Sequence, residues 1–199
     1  MGFTGSLRRQ SINRGLLRAA QAADRDIVVD IFDIGSLPLF NQDIELPVPA
    51  PVADFKQRIA EADAVLIATP EYNQSIPGTL KNALDWASRP NKNHVFTGKS
   101  VGILGASSGK SGTMRAQLLL RAALHALGCR VLPRPEIFVP FAAKHFDDDG
   151  HLIDKGVTDE VHDLVRALKQ WTLLFHQQPP AKAISRSPAL LSDAETRRS

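Results

Sequence analysis

Three short segments concentrate the side chains able to handle a charged or aromatic small molecule. The first is Gly5-Ser6-Leu7-Arg8-Arg9-Gln10-Ser11-Ile12-Asn13, which runs straight into a stretch of helical spacing. Hydroxyls (Ser6, Ser11), an amide (Asn13) and guanidinium groups (Arg8, Arg9) gather there at a helix N-terminus. Free backbone N–H groups and the helix dipole already favour an anion at such a place. Each charge-assisted hydrogen bond contributes about 1.5–3 kcal/mol, so a few of them hold a phosphate. The same residues also permit a plainer reading, in which Ser11 caps the helix and the arginines are solvated.

The second segment is Thr69-Pro70-Glu71-Tyr72-Asn73-Gln74-Ser75-Ile76-Pro77-Gly78, where two prolines and a glycine fix the path and Tyr72 is the single tyrosine of the chain. A rigid loop offering backbone N–H groups and one aromatic suits a flat heterocycle. Tyr72 and Asn73 point to a ligand; Trp86, further on, is expected in the core. The third segment, Gly105-Ala106-Ser107-Ser108-Gly109-Lys110-Ser111-Gly112, admits two chemistries. Its first five residues match G-x-S-x-G, the nucleophile elbow of serine hydrolases, with Asp147 or Asp154 and His162 in the required chain order. No oxyanion motif of the His-Gly-Gly type accompanies it. The segment also approaches a phosphate-binding P-loop, but is one residue short of the required spacing.

Other chemistries find less support. The six histidines (94, 125, 145, 151, 162 and 176) show no zinc-type spacing. Asp147-Asp148-Asp149-Gly150 lacks the remaining positions of a calcium loop and reads as a solvated turn. Cys129 reads as a small buried hydrophobe. No G-x-G-x-x-G dinucleotide fingerprint occurs. No metal site is expected.

The elements that must position these loops are read from periodicity. Short β-branched runs at 27–32, 64–68 and 100–104 read as strands, and a weaker one spans 130–132 and resumes at 136–139. Helical faces alternate with them: Ile12, Leu16, Ala19, Ala20 and Ala23; Phe55, Ile59 and Ala62; Ala116, Leu119, Leu120, Ala123 and Leu127, stopped by Gly128; and Val161, Leu164, Val165, Leu168 and Trp171. Strand and helix in alternation give βαβ units and a parallel sheet. The central runs are apolar without alternation, as strands covered on both faces should be. The expectation is a doubly wound α/β fold of about five strands, with ligands beyond the carboxyl ends of the strands. Asp149-Gly150 between apolar flanks predicts a small hairpin within 144–156.

The chain has 199 residues, 43% hydrophobic and 23% charged, within the usual range for one globular domain. We expect that domain over 1–176, followed by a disordered tail at 177–199 rich in Pro, Ser, Ala and Arg. Apolar runs such as Ala64–Ala68 are far shorter than the roughly 18 residues of a membrane helix. The N-terminus carries charge too early for a signal peptide, and one cysteine allows no internal disulfide, so a reducing, cytoplasmic location is expected. The sequon at Asn73 to Ser75 then carries no glycosylation meaning. The net charge of +3 lies largely in the tail, and no basic stripe or nucleic-acid module accompanies it.

Taken together, Gly5-Ser6-Leu7-Arg8-x-x-Ser11-x-Asn13, Pro70-Glu71-Tyr72-Asn73, Ser75-x-Pro77-Gly78 and Leu80-Lys81-Asn82-Ala83-Leu84-Asp85-Trp86 resemble the NADPH-dependent FMN reductase family, the flavodoxin-like quinone, chromate and azo-dye reductases. The likeness runs over roughly residues 2–175 with motif order preserved. It implies a flavodoxin-like strand order 2-1-3-4-5 and bound FMN. By motif match, Ser6, Leu7, Arg8, Ser11 and Asn13 would hold the phosphate. Pro70, Glu71, Tyr72 and Asn73 would line the isoalloxazine, largely through backbone groups, and Ser107 with Gly109 would meet its pyrimidine edge. The implied reaction is ping-pong: NADPH or NADH gives a hydride to the flavin, which then reduces a small-molecule acceptor such as a quinone. No protein side chain is assigned as general base or nucleophile. Homodimers or homotetramers are implied, with the helix from Gly78 to Ser88 as a contact element. Only Met1-Gly2-Phe3-Thr4 precede the first motif, so the first strand is expected to be shorter than the usual five or six residues. Three rival readings are a flavodoxin-type electron carrier, a serine hydrolase built on Ser107, and a regulatory or scaffold protein that has lost FMN through its short first strand.

Overall fold

A computed structural model describes residues 1–90 and 94–176. The elements alternate as β1 (Gly2–Thr4), α1 (Ile12–Gln21), β2 (Ile31–Phe32), α2 (Ala50–Glu61), β3 (Ala64–Ala68), α3 (Gly78–Ala87), β4 (Ser100–Ala106), α4 (Met114–Ala126), β5 (Arg130–Val131), β6 (Ile137–Val139) and α5 (Lys155–His176). The strands pair in parallel in the order β2-β1-β3-β4-β5, with β6 also against β4. This is the doubly wound, flavodoxin-like order expected from the sequence. The expected tail at 177–199 lies outside the described residues.

The fifth strand position is split, as the pattern at 130–132 and 136–139 implies. β5 pairs with Ser100 and Val101, and β6 with Leu104 to Ala106, along one edge of β4. Between them Pro133 and Pro135 have no N–H to offer a ladder. β2 is shorter than the β-branched run at 27–32 suggests. Pairing begins only where Gly2 meets Ile31 and Phe3 meets Phe32, and Val28 is left largely exposed. β-propensity without a partner strand does not make a ladder. β1 is indeed three residues long, yet it is the middle strand, bonded to β2 and β3 at once.

Two apolar layers sandwich the sheet. On one face α2, α3 and α4 bury Phe55, Ile59, Leu84, Trp86, Leu120 and Leu124 against Phe3, Val65 and Ile67. On the other, α1 and α5 bury Leu16, Leu17, Val161 and Leu164 against Leu66, Ala68 and Leu104. β4 is buried along its whole length, which explains its unbroken apolar run. Trp86 is a core residue, its indole N–H donating to the Pro38 carbonyl at 2.8 Å. Gly128 ends α4 with φ +67°, the left-handed geometry that favours glycine. Cys129 is partly buried against the same layer, and burial pushes its thiol up to about 12, so it has little thiolate character at neutral pH. Among the described residues no helix is long and apolar enough to cross a membrane.

All strands being parallel, β1, β3 and β4 end at the same edge, and the three candidate loops emerge side by side there. A cavity of about 360 Å³ lies at the opposite edge, lined by Val29, Leu66, Val165 and Leu168 and remote from those loops.

Candidate functional site

The first loop is fixed at its root and open at its tip. Gly5 donates to the Ala68 carbonyl (3.2 Å) and its own carbonyl accepts from Thr79 Oγ1 (2.6 Å). A Cβ at Gly5 would lie 3.0 Å from Pro77 Cγ and 3.1 Å from Leu80 Cβ, so glycine lets the three chain segments approach. Beyond it, Ser6 N donates to Thr4 Oγ1, and Arg8 N to Ser6 Oγ. Ser11 caps α1, its Oγ accepting from Arg14 N at 3.2 Å. The N–H groups of Leu7, Arg9, Gln10, Ser11, Ile12 and Asn13 find no acceptor among the described residues. Leu7, Arg8 and Arg9 are exposed, and neither arginine has an ion-pair partner among the described residues.

Asn13 departs from its expected role. Its side chain is buried and turned inward, Nδ2 donating to the Ala106 carbonyl (3.0 Å) and Oδ1 accepting from Ala106 N (2.9 Å). The amide therefore locks α1 to the end of β4 instead of facing an anion, which leaves only its backbone N–H for that purpose.

In the second loop Thr69 is wholly buried and donates to the Leu104 carbonyl, and Pro70 is buried beside it. Tyr72 and Ser75 exchange backbone hydrogen bonds of 3.0 Å each, with Asn73 (φ +51°) and Gln74 (φ +64°) between them. Two consecutive positive φ values make this a primed hairpin turn, whose preferred pair is Asn-Gly. Gln74→Gly is therefore expected to stabilise the fold by about 0.5–1 kcal/mol, read as a melting-temperature rise of about 2 °C. No rise in a thermal scan would refute it. The turn presents Tyr72, a residue 47% exposed, at the edge of the site.

Glu71, expected to meet the ring largely through its backbone, uses its side chain elsewhere. Its carboxylate accepts from Ser111 Oγ (3.1 Å), Arg115 N (3.0 Å), Ala116 N (3.2 Å) and the Arg115 guanidinium (3.2 Å). It thus caps α4 from another loop, because Thr113 at the cap position is left-handed (φ +76°) and makes no side-chain cap. Burial alone would raise the Glu71 carboxyl pKa, but these hydrogen bonds outweigh it and hold the group below its ordinary value of 4.5. A carboxyl depressed in the folded state contributes stability above its unfolded pKa and loses it as pH falls through the folded value. Glu71→Gln is expected to cost about 2 kcal/mol at neutral pH. The gap from wild type should narrow as urea melts are taken down towards about pH 3, below the ordinary carboxylate range. A gap that stays constant with pH would rule out the charge as the cause.

The third loop leans on β6 and on residues 141–142 beyond it. Ser107 N donates to the Val139 carbonyl, its carbonyl accepts from Ala142 N, and the Gly109 carbonyl accepts from Phe141 N. Phe141 is left-handed (φ +49°) with its ring half-exposed beside this loop, a placement that nothing in the sequence announces. Gly112 (φ +55°) lies against the backbone of residues 138–140, where a Cβ would come within 2.8 Å. The hydrolase constellation does not assemble. The Ser107 hydroxyl donates to the Gly109 carbonyl at 3.4 Å, His162 pairs with the Ala19 carbonyl, and Asp154 pairs with His145, Asp147 with His151. Among the described residues no three of His, Cys, Asp and Glu gather as metal ligands.

The arrangement thus offers a donor-rich, basic anion site at the start of α1. The corresponding position at α4 is already filled by the Glu71 carboxylate. The Tyr72 turn and the loop at 107–109 share the same edge. Hydrogen-bond donors without acceptors suit a dianionic phosphate, and the exposed backbone of the other two loops suits the polar edge of a flat ring. The residues fit a flavin mononucleotide.

Comparison with known proteins points the same way. The family model for NADPH-dependent FMN reductase matches residues 1–144. An NAD(P)H-dependent FMN reductase of Pseudomonas aeruginosa is 42% identical over 173 residues, 86% of this chain and 93% of that protein. A 2-hydroxy-1,4-benzoquinone reductase of a Burkholderia species is 41% identical over 168 residues, covering 84% and 92%. Among solved structures, the flavoenzyme NAD(P)H:(acceptor) oxidoreductase FerB of Paracoccus denitrificans superposes with a TM-score of 0.79 at 34% identity, covering 87% of this chain and 96% of that one.

Proposed function

The chain belongs to the NADPH-dependent FMN reductase family and is an FMN-dependent, NAD(P)H-driven oxidoreductase, and from that premise we propose that it reduces small quinones by a ping-pong route. In this reading residues 1–176 are the FMN-binding domain, and the phosphate sits at the start of α1. It is held there by Ser6, Ser11, the Arg8 guanidinium and the open N–H groups from Leu7 to Asn13. The isoalloxazine lies along the backbone of Pro70 to Asn73 beside Tyr72, with Ser107 and Gly109 at its pyrimidine edge. Bound FMN supplies the two-electron chemistry, accepting a hydride from the nicotinamide and passing two electrons to the acceptor. The protein binds, orients and shields, and no side chain serves as acid, base or nucleophile. The observation that carries this reading is the set of unpartnered N–H donors at α1, open at the same sheet edge as the Tyr72 turn and the Ser107 loop.

A quinone as acceptor is supported by the benzoquinone reductase relative. A cytoplasmic location accords with the single free cysteine. Self-association is supported on α4, where Met114, Leu118 and Leu119 are exposed, in addition to the outer face of the helix from Gly78 to Ser88 that the family resemblance implies.

The test is the visible spectrum of the purified protein, followed by anaerobic NADPH and then a benzoquinone. Flavin bands that bleach with NADPH and return with the quinone are expected. Bands that do not bleach would mark an electron carrier, and a protein still colourless after added FMN would overturn the site. Labelling of Ser107 by a fluorophosphonate would restore the hydrolase.

A further inference from the structure

We propose that the hairpin over residues 145–154 is the positioning element of the phosphate turn: through Gly150 it fixes the backbone of Gln10 to Gly15 and so sets how tightly the FMN phosphate is held. This rests on the phosphate site assigned above to the start of α1.

The hairpin is held at both ends. Phe146 is buried in the layer under α1 and α5 and faces Leu152 in an antiparallel bridge. Asp154 receives His145 Nδ1 (2.9 Å) and caps α5 by accepting from Val157 N (3.0 Å). Within the tip, Gly150 N donates to the Asp147 carbonyl, and the Asp147 carboxylate accepts from His151 N at 2.7 Å. The tip therefore has little freedom to move.

That tip meets the phosphate turn backbone against backbone. A Cβ on Gly15 would lie 2.1 Å from the Gly150 carbonyl oxygen and 3.3 Å from Phe146 Cε1. A Cβ on Gly150 (φ +76°) would lie 2.9 Å from the Gln10 carbonyl oxygen and 3.3 Å from the Ser11 carbonyl carbon. Gln10 Nε2 adds a hydrogen bond to Asp149 Oδ1 at 3.2 Å. The residues pressed are the ones that carry or flank the open N–H groups of Gln10 to Asn13. Hydrogen bonds to an anion tolerate displacements of only about half an ångström, so a shifted turn weakens several donors together. The tip residues Asp147 to Gly150 make no described hydrogen bond to residues 70–73 or 107–109, so ring binding is left alone.

The experiment compares FMN with riboflavin, which lacks the phosphate, by fluorescence titration of the full chain freed of flavin. Gly15→Ala, which forces the hairpin off the turn, is expected to weaken FMN about tenfold while riboflavin changes less than about twofold. Amide hydrogen exchange at Arg14 and Gly150, whose N–H groups donate to Ser11 Oγ and to the Asp147 carbonyl, should quicken in the same variant. Asp149→Ala, on the exposed surface, should weaken FMN about two- to threefold and riboflavin not at all. Parallel loss of both flavins, or unchanged FMN affinity and exchange in Gly15→Ala, overturns the proposal. If Gly15→Ala does not fold, Asp149→Ala decides alone: loss for FMN only supports the proposal, and no loss or equal loss overturns it. A wild type that binds neither flavin refutes the phosphate site itself, and the exchange rates then still decide whether the hairpin fixes the turn.

Discussion

Gly105→Ala is expected to lower stability by about 3 kcal/mol or more, and to release FMN with it. A Cβ at this position would stand 2.2 Å from Thr113 Oγ1 and 2.4 Å from the Thr69 carbonyl oxygen, where real Cβ atoms keep beyond 3.0 Å. Neither neighbour can yield. Thr69 closes β3 by donating to the Leu104 carbonyl, and Thr113 is wholly buried and bonded to Gln117 Nε2 at 3.0 Å. β4 must then separate from β3 or from the start of α4, and those are the segments that carry the ring-binding loops. Against a total stability of about 5–15 kcal/mol this is a large share. It corresponds to a fall of roughly 10 °C in melting temperature for a chain of this size. Adding Thr113→Gly to Gly105→Ala removes the hydroxyl but not the Thr69 carbonyl, so the double variant should recover only part of the loss. Urea unfolding of the three proteins checks this, and a wild-type midpoint for Gly105→Ala would refute the close β3–β4 approach.

Gly105 also shows where sequence reasoning reaches its limit. In the chain it reads as the first glycine of a nucleophile-elbow pattern. In the fold it is there because a carbonyl and a threonine crowd its α-carbon, whereas a Cβ at Gly109 would meet only Ser107 Oγ at 3.9 Å, so packing does not demand glycine at that second position. A pattern of small residues states that backbone comes close to something, not to what. Periodicity served better for the elements. The apolar runs at 64–68 and 100–104 became β3 and β4, and the interruption after 132 was visible in its prolines. Residues 27–30 stay outside β2, because strand propensity says nothing about whether a neighbour is there to pair.

At the site, residue types located the loops but not the directions of their side chains. The Asn13 side chain, at a motif position expected to hold the phosphate, bonds the end of β4, and the Glu71 side chain, whose backbone is expected to line the ring, caps α4. Only the packing of α1 on β4, and of the second loop on α4, decides that. The left-handed residues Gln74, Thr113 and Phe141 carry no such signal at all, because none is a residue type that favours positive φ. The contact of Gly150 with Gly15 links positions far apart in the chain, and a lone Asp-Gly pair reveals the turn but not what the turn presses against.

Arg8→Ala is expected to weaken FMN by roughly ten- to a hundredfold while leaving riboflavin affinity and thermal stability unchanged. Arg8 is exposed, and its side chain has no hydrogen-bond or ion-pair partner among the described residues, so its removal takes nothing from the fold. Its backbone N–H, which donates to Ser6 Oγ at 3.4 Å, survives the substitution and keeps the turn in shape. What is lost is the guanidinium, which in the proposed site meets the phosphate with charge-assisted bonds. Arg8→Lys should restore part of the affinity, since an ammonium returns the charge without the planar two-pronged donor. Raised salt should narrow the gap between wild type and Arg8→Ala, because exposed charges are screened over a Debye length of about 10 Å at 0.1 M. Paired titrations with FMN and riboflavin at two ionic strengths check all three. Equal weakening of the two flavins would move Arg8 from the phosphate to the ring, and an unchanged FMN affinity would leave the backbone N–H groups of α1 as the whole of the anion site.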